Sequence, residues 1–279
     1  MKKGGAVLLV AVVSLVFLAL AGTGVWCLAS RTLSDESEVL EENDSKENDS
    51  KENDSKEDQG LTLSYRIVDG EQASQEDIID TIMKLQKRAE NYCDNAIVYQ
   101  TDADVICVDL PEVRDPEYIT KQMGRNGSIY FIAQTDSRGN ENYSGQSIAD
   151  ENGVVQWGYG LNFSVEELAA KGSVVLEGAD IASAKAVASR DAMGITSYVV
   201  QLDMTTEGTE KFAAATERAW EKGETIAIYF DGEILSVPGV SGKITDGRAI
   251  ITSLSNMEEA EAIALAIDIG SLKLELEQL

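Results

Sequence analysis

The sequence predicts an α+β fold. It reads as an N-terminal transmembrane helix, a disordered acidic linker, a ferredoxin-like split β-α-β-β-α-β base and a second α+β head subdomain. Three observations carry this. Residues 4–30 bear no charge, residues 42–56 repeat one acidic pentapeptide three times, and from residue 61 onward strand-period and helix-period stretches alternate between turn signals. The expected partition is 1–30 for the cytoplasmic tip and membrane helix, 31–60 for the linker, 61–134 for the base, 135–270 for the head and 271–279 for a closing strand.

Lys2 and Lys3 precede the apolar stretch 6–28, which is long enough to cross a bilayer core, since that needs about 20 residues. The basic end faces the cytoplasm, so the rest of the chain is expected outside the cell membrane, held by a single pass. Ala19-Leu20-Ala21 offers a competing reading as a signal-peptidase site. The anchor is preferred because apolar residues continue through Val25, Trp26 and Leu28. The linker carries Glu-Asn-Asp-Ser-Lys at 42–46, 47–51 and 52–56. Such a run cannot bury enough apolar surface to offset its ordering entropy, so a flexible tether is expected.

Composition excludes several functions. With 49 acidic and 23 basic residues the net charge is −26, which opposes nucleic-acid binding. The chain has no histidine, so Ser-His-Asp and Cys-His catalysis and histidine-based zinc sites are ruled out. Of the three cysteines, Cys27 lies in the apolar N-terminus, while Cys93 and Cys107 either pair or form two buried thiols; the latter is the simpler reading.

In the first half, Leu61, Leu63, Tyr65 and Ile67 alternate with polar residues as a half-buried strand. Ser74 caps a helix, with Asp77 three residues on, whose apolar face is Ile78, Ile82, Leu85, Ala89 and Tyr92. Strands follow at 96–100 and 105–110, with a turn at 101–104. Pro111 and Pro116 bracket a break before a short helix capped by Asp115, and a strand at 128–133 completes a sheet with both helices on one face.

In the second half, residues 135–172 read as an irregular insertion with a short strand at 154–159. Strands are expected at 173–177 and 197–203, and the Ala-rich stretch 182–192 as a helix, packed or partner-facing. Thr205 or Thr206 caps a helix with Phe212, Ala215 and Ala219 inward and Trp220 as a further candidate for that face, ended by Gly223. Asp231-Gly232 joins a hairpin from 225–230 to 233–237, and Asp246-Gly247 turns into 249–252. Asn256 caps the last helix, with Glu259 three residues on, and the alternation of Leu272, Leu274 and Leu276 ends the chain as a strand.

No constellation supports a reaction. Asn140-Glu141-Asn142-Tyr143-Ser144-Gly145 with Glu151 fits a calcium loop only loosely. Gly158-Tyr159-Gly160 lacks the frame of a nucleotide loop. Asp102 with Asp104, and Glu258 with Glu259, read as a turn and a helix first turn. The chain is expected to be no enzyme, with no catalytic, cofactor or metal residues, and no particular partner-binding residue can be singled out.

An ordered series of motifs over 61–279 resembles the first extracytoplasmic domain of SecD, an accessory of bacterial protein export. Leu110-Pro111-Glu112-Val113-Arg114-Asp115-Pro116 is similar to the family's Leu-Pro-Gly-Val-x-Asp-Pro, with Glu112 in place of glycine. Gly178-Ala179-Asp180-Ile181, then Gly208, Phe212 and Thr216, then Ala227-Ile228-Tyr229-Phe230-Asp231-Gly232-Glu233-Ile234-Leu235-Ser236-Val237-Pro238 follow in the family's order. Ile244, Gly247, Glu259-Ala260, Gly270 and Leu272 continue it. The departures are Leu61-Thr62-Leu63-Ser64-Tyr65 at the opening, and Asp268 and Lys273 near the close, where the family has Arg and Pro.

The resemblance implies an export accessory that contacts unfolded secretory polypeptide or export-channel subunits through exposed strand edges or an apolar groove of the second half. The later membrane helices of SecD are expected to be missing, and with them the proton-driven role. An envelope structural or sensor module is the alternative. Protease added to intact spheroplasts should digest everything beyond residue 30; full protection of the C-terminus would refute the outward topology.

Overall fold

The computed structural model describes residues 59–149, 155–190 and 194–279. The expected membrane helix and linker, up to residue 58, lie outside the described residues. Among those described, no helix is long and apolar enough to cross a membrane. In chain order the elements are β1 (Gln59–Ile67), α1 (Gln75–Glu90), β2 (Ile97–Asp102), β3 (Val105–Val113), α2 (Pro116–Met123), β4 (Ile129–Ala133), β5 (Tyr143–Ala149) and β6 (Val155–Leu161). Then come α3 (Val165–Ala170), β7 (Val174–Glu177), β8 (Ile181–Arg190), β9 (Thr196–Met204), α4 (Thr206–Lys222), β10 (Ile226–Phe230), β11 (Glu233–Ser236), β12 (Arg248–Leu254), α5 (Met257–Ile269) and β13 (Leu276–Gln278).

The base is one antiparallel sheet in the order β13-β1-β3-β2. Its inward side chains Leu63, Tyr65, Ile67, Ile106 and Val108 pack on Ile78, Leu85 and Ala89 of α1 and on Ile119 and Met123 of α2. The caps expected from sequence form as read: Asp77 N donates to Ser74 Oγ at 3.1 Å, and Tyr118 N to Asp115 Oδ1 at 3.1 Å. β1 opens at Gln59, two residues before the alternation begins, because the ladder with β3 extends to Gln59 opposite Val113. Pro111 does not break the chain. It sits inside β3 where the register with β1 shifts between Gln59 and Leu61, a bulge that tolerates a residue without an amide hydrogen. The outer edge of β2 is stoppered by α1: Gln86 Oε1 accepts from Val98 N at 2.8 Å, and Gln86 Nε2 donates to Ala96 O at 2.9 Å. Cys93 and Cys107 are buried free thiols.

Here the structure corrects the sequence reading. The strand expected to complete the base, now β4, leaves it and lies inside a second sheet, β11-β10-β4-β7. Its place beside β1 is taken by β13, with Tyr65 opposite Gln278 and Ile67 opposite Leu276. The physical reason is visible in β4 itself: Ile129, Phe131, Ile132 and Ala133 are all buried. A strand buried on both faces belongs in the middle of a covered sheet, whereas the base sheet has one solvated face.

The head shares one core between the sheets β11-β10-β4-β7 and β12-β9-β8 and the helices α4 and α5. Phe131 meets Phe212 edge to face at 5.7 Å. The 182–192 stretch is not a helix but β8, antiparallel to β9. Its small side chains allow α5 to lie close, with Ala184 and Ala186 packed on the core, and its backbone edge is met by α5, where Asp268 Oδ1 accepts from Ala184 N at 3.2 Å. α4 is capped by Thr205, which accepts from Gly208 N, and closes at Gly223 in the left-handed region (φ 68°). Gly208 has no room for a side chain, since a Cβ would stand 2.4 Å from Asp180 O. The region 135–172 is also more ordered than expected, holding β5, β6 and the short α3.

Leu85 is fully buried, so Leu85→Ala should lower stability by about 2–5 kcal/mol. Thr205→Ala should cost about 1 kcal/mol by loss of the cap. Urea denaturation measures both, and a Leu85→Ala midpoint equal to wild type would contradict the described core.

Candidate partner-binding surface

The strand expected at 154–159 is present as β6, whereas β5, in a stretch rich in glycine and serine, was not apparent from sequence. The two form an antiparallel ribbon, registered from Tyr143 opposite Leu161 to Ala149 opposite Val155. Three of its glycines are each roofed by a long side chain from the diagonal position on the other strand. Trp157 lies over Gly145, Ile148 over Gly158 and Gln146 over Gly160, close enough that a Cβ at any of them would clash. Glycine in a strand commonly marks such a close approach. The ribbon therefore carries large side chains on bare backbone.

One face of β6 presents Val155, Trp157 and Tyr159, which are 64%, 76% and 46% exposed; Ile148, on the opposite face, is 41% exposed. Contiguous exposed apolar side chains on a soluble surface mark interaction sites. The root of the ribbon is fixed. Tyr143 is buried, its hydroxyl 2.7 Å from Thr225 Oγ1, and Thr225 Oγ1 in turn donates to Gln134 Oε1 at 3.0 Å. Burial pushes the Tyr143 hydroxyl well above the usual tyrosine range, against the opposing pull of the Thr225 hydrogen bond. Tyr143 also meets Tyr159 edge to face at 6.4 Å. Asn142, buried, donates from Nδ2 to Ala133 O at 2.8 Å. A rigid sheet thus holds up an apolar arm.

Between this arm and the segment 234–241 lies an open groove of about 790 Å³. Tyr143, Tyr159, Leu235, Val237, Pro238 and Val240 line it, with Thr252 of β12 opposite. β11 and β12 are the edge strands of their sheets, and both border the groove. A second hollow of about 620 Å³ is lined by Ile148, Trp157, Tyr229 and Ile234.

The residues weighed from sequence do not converge on chemistry. Asn140 Nδ2 donates to Asp136 at 2.9 Å, Asn142 turns inward, Tyr143 to Gly145 belong to β5, and Glu151 lies outside the described residues. Gly158-Tyr159-Gly160 is strand. Glu259 Oε2 accepts from Ser255 N at 2.7 Å at the start of α5. Among the described residues, no three acidic or cysteine side chains gather where they could hold a metal ion. Asp231 is more than a turn residue: its carboxylate accepts from Gly127 N at 2.9 Å and Ser128 N at 2.7 Å, and lies 3.4 Å from Arg125.

Residues 159–274 match the family model described as SecDF, P1 head subdomain. The protein translocase subunit SecD of Acidaminococcus fermentans is 30% identical over 181 residues, covering 65% of this chain and 33% of that protein. The SecD of Petrotoga mobilis is 26% identical over 241 residues, covering 78% and 49% respectively. The chain therefore spans a third to a half of the length of these relatives. A solved structure described as a membrane component SecDF that enhances protein export superposes with a TM-score of 0.57 at 26% identity, covering 78% of this chain and 97% of that one. SecDF in its super-membrane-facing form gives 0.58 at 26% identity, over 80% of this chain and 30% of that one.

Trp157→Ala should leave the urea midpoint within about 0.5 kcal/mol of wild type, because the ring is mostly in water. Tyr143→Phe should cost about 1 kcal/mol, because it strips the Thr225 hydroxyl of a buried partner. The reverse ranking would mean that the arm is packed and its root is not.

Proposed function

We infer the function from one premise: the described part of this chain is a SecD-type extracytoplasmic domain. We propose that the protein is a non-enzymatic accessory of protein export. It is held at the cell membrane by the apolar span 6–28 and works outside it on extended secretory polypeptide or on export-channel subunits. The observation that supports this most is the β5–β6 arm, which exposes Val155, Trp157 and Tyr159, with Tyr159 lining a groove bordered by two edge strands and Trp157 lining a second hollow. An unfolded chain offers what such a surface can use, namely apolar side chains for the aromatic face and backbone groups for the strand edges. No proton pathway is assigned to the chain, because the span 6–28 carries no acidic or basic residue.

A photoactivatable residue placed at Trp157 or Leu235 in the full chain should trap secretory polypeptide or channel subunits in cells. The same probe at Thr101, on the open face of the base sheet, should trap much less. Equal or absent capture at all three positions would overturn the proposed surface. If a reporter were secreted unchanged after deletion of the gene, the domain would instead be an envelope structural or sensor module.

A further inference from the structure

The two stretches of chain that build most of the partner-binding surface share a bias in composition. Residues 139–170 carry five acidic residues and no lysine or arginine, and residues 223–242 carry three acidic residues and again no lysine or arginine. The chain has 23 basic residues, so an even spread would place several in these stretches. Folding turns the bias into a local field. Glu141 and Glu224 line the groove, Glu233 lines the second hollow, and no cationic side chain lines either. Every lining residue lies between positions 134 and 252, so the surface is complete within the head, whatever the position of the base.

The three carboxylates differ in how far they are already satisfied. Glu224 is held: its Oε1 accepts from Thr135 Oγ1 at 2.7 Å and lies 3.5 Å from Lys222 Nζ. Glu141 and Glu233 are exposed, and among the described residues neither is paired with a lysine or arginine. Near them stand the rings of Trp157 and Tyr159, largely in water. Aromatic faces and carboxylates attract the same group, an ammonium or guanidinium on an apolar stem. Strand edges and aliphatic lining accept any extended chain, so the carboxylates are what discriminates among such chains. An acidic segment would meet two unpaired carboxylates and find no cation in the lining of either hollow.

We propose that this surface selects its occupant by charge. It receives extended segments in which apolar residues alternate with lysine or arginine, and it turns acidic segments away. The selection rests on the export reading, in that an extended polypeptide is the occupant.

Fluorescence anisotropy with the full chain in a non-ionic detergent tests this. The probes are three short labelled peptides of one shared apolar pattern, with every alternate position lysine, glutamine or glutamate. At low ionic strength the lysine peptide should bind about fivefold or more tighter than the glutamine peptide, and the glutamate peptide more weakly than both. Glu141→Gln combined with Glu233→Gln should bring the lysine and glutamine peptides to within about twofold of each other. Glu71→Gln combined with Glu76→Gln, which removes two exposed carboxylates of the base, should leave the wild-type ratio. Equal affinity for the three peptides would overturn charge selection while leaving the export reading in place. So would a lysine preference that survives the loss of Glu141 and Glu233, or one that both double variants lower equally, since that is attraction to the net charge of −26. Binding of none of the peptides would sink the export reading, and the selection with it.

Discussion

The geometry of this molecule turns on the hydrogen bonds that a single buried guanidinium makes to backbone carbonyls. The sheet of the base is complete only when β13 lies beside β1, and β13 follows the entire head. The chain must therefore leave the base and return to it at neighbouring points. Arg88 sits at that place on the inner face of α1, within one turn of Leu85 and next to Ala89. Burial draws its pKa down to about 10, with the charge of Asp231 opposing the fall. A lysine could not replace its fork, because the donors reach three carbonyls, those of Met123, Arg125 and Asn126, in fixed directions.

The treatment of sheet edges divides the molecule by role. In the base, Gln86 closes the outer side of β2 with two hydrogen bonds, and in the head Asp268 meets the edge of β8. These are devices against stray strand pairing. β11 and β12, in contrast, border a groove whose lining mixes Tyr143, Tyr159, Leu235 and Val240 with polar residues such as Gln134, Glu141, Glu224 and Ser241. The same protein thus closes some strand edges with side chains and leaves others bordering a groove.

Much of this was legible in the sequence, for local reasons. The caps at Ser74, Asp115, Thr205 and Asn256, the αL stop at Gly223 and the Asp231-Gly232 turn are determined within a few residues, and each forms as read. What failed was non-local. Membership of β4 in the head depends on which sheet covers both its faces, though its unbroken Ile129-Tyr130-Phe131-Ile132-Ala133 run was a clue. The alanines of β8 carry helix propensity, yet the close approach of α5 overrides it. Of the arm, the strand expected at 154–159 forms as β6, while β5 was missed because its glycine- and serine-rich sequence carries no single-strand pattern, and nothing local reveals that Trp157 roofs Gly145. α3 was missed despite a readable signal, the Ser164 and Glu167 capping box. The roles of Arg88 and Asp231 were invisible, since nothing in sequence places them on opposite sides of one loop.

The return of β13 to β1 also sets an order of assembly. The head's strands and helices are contiguous in sequence from β4 to α5, so they can condense on local and mid-range contacts as they emerge. The base cannot. Its first strand must wait, with one edge unfilled, until more than two hundred further residues have appeared, because Tyr65 pairs with Gln278. Contacts of such long sequence separation form late and slowly. During that interval α1 and α2 alone shield the inner face of a three-stranded sheet. A nascent molecule would pass through a stage in which its distal lobe is finished and its proximal lobe still needs a chaperone's protection.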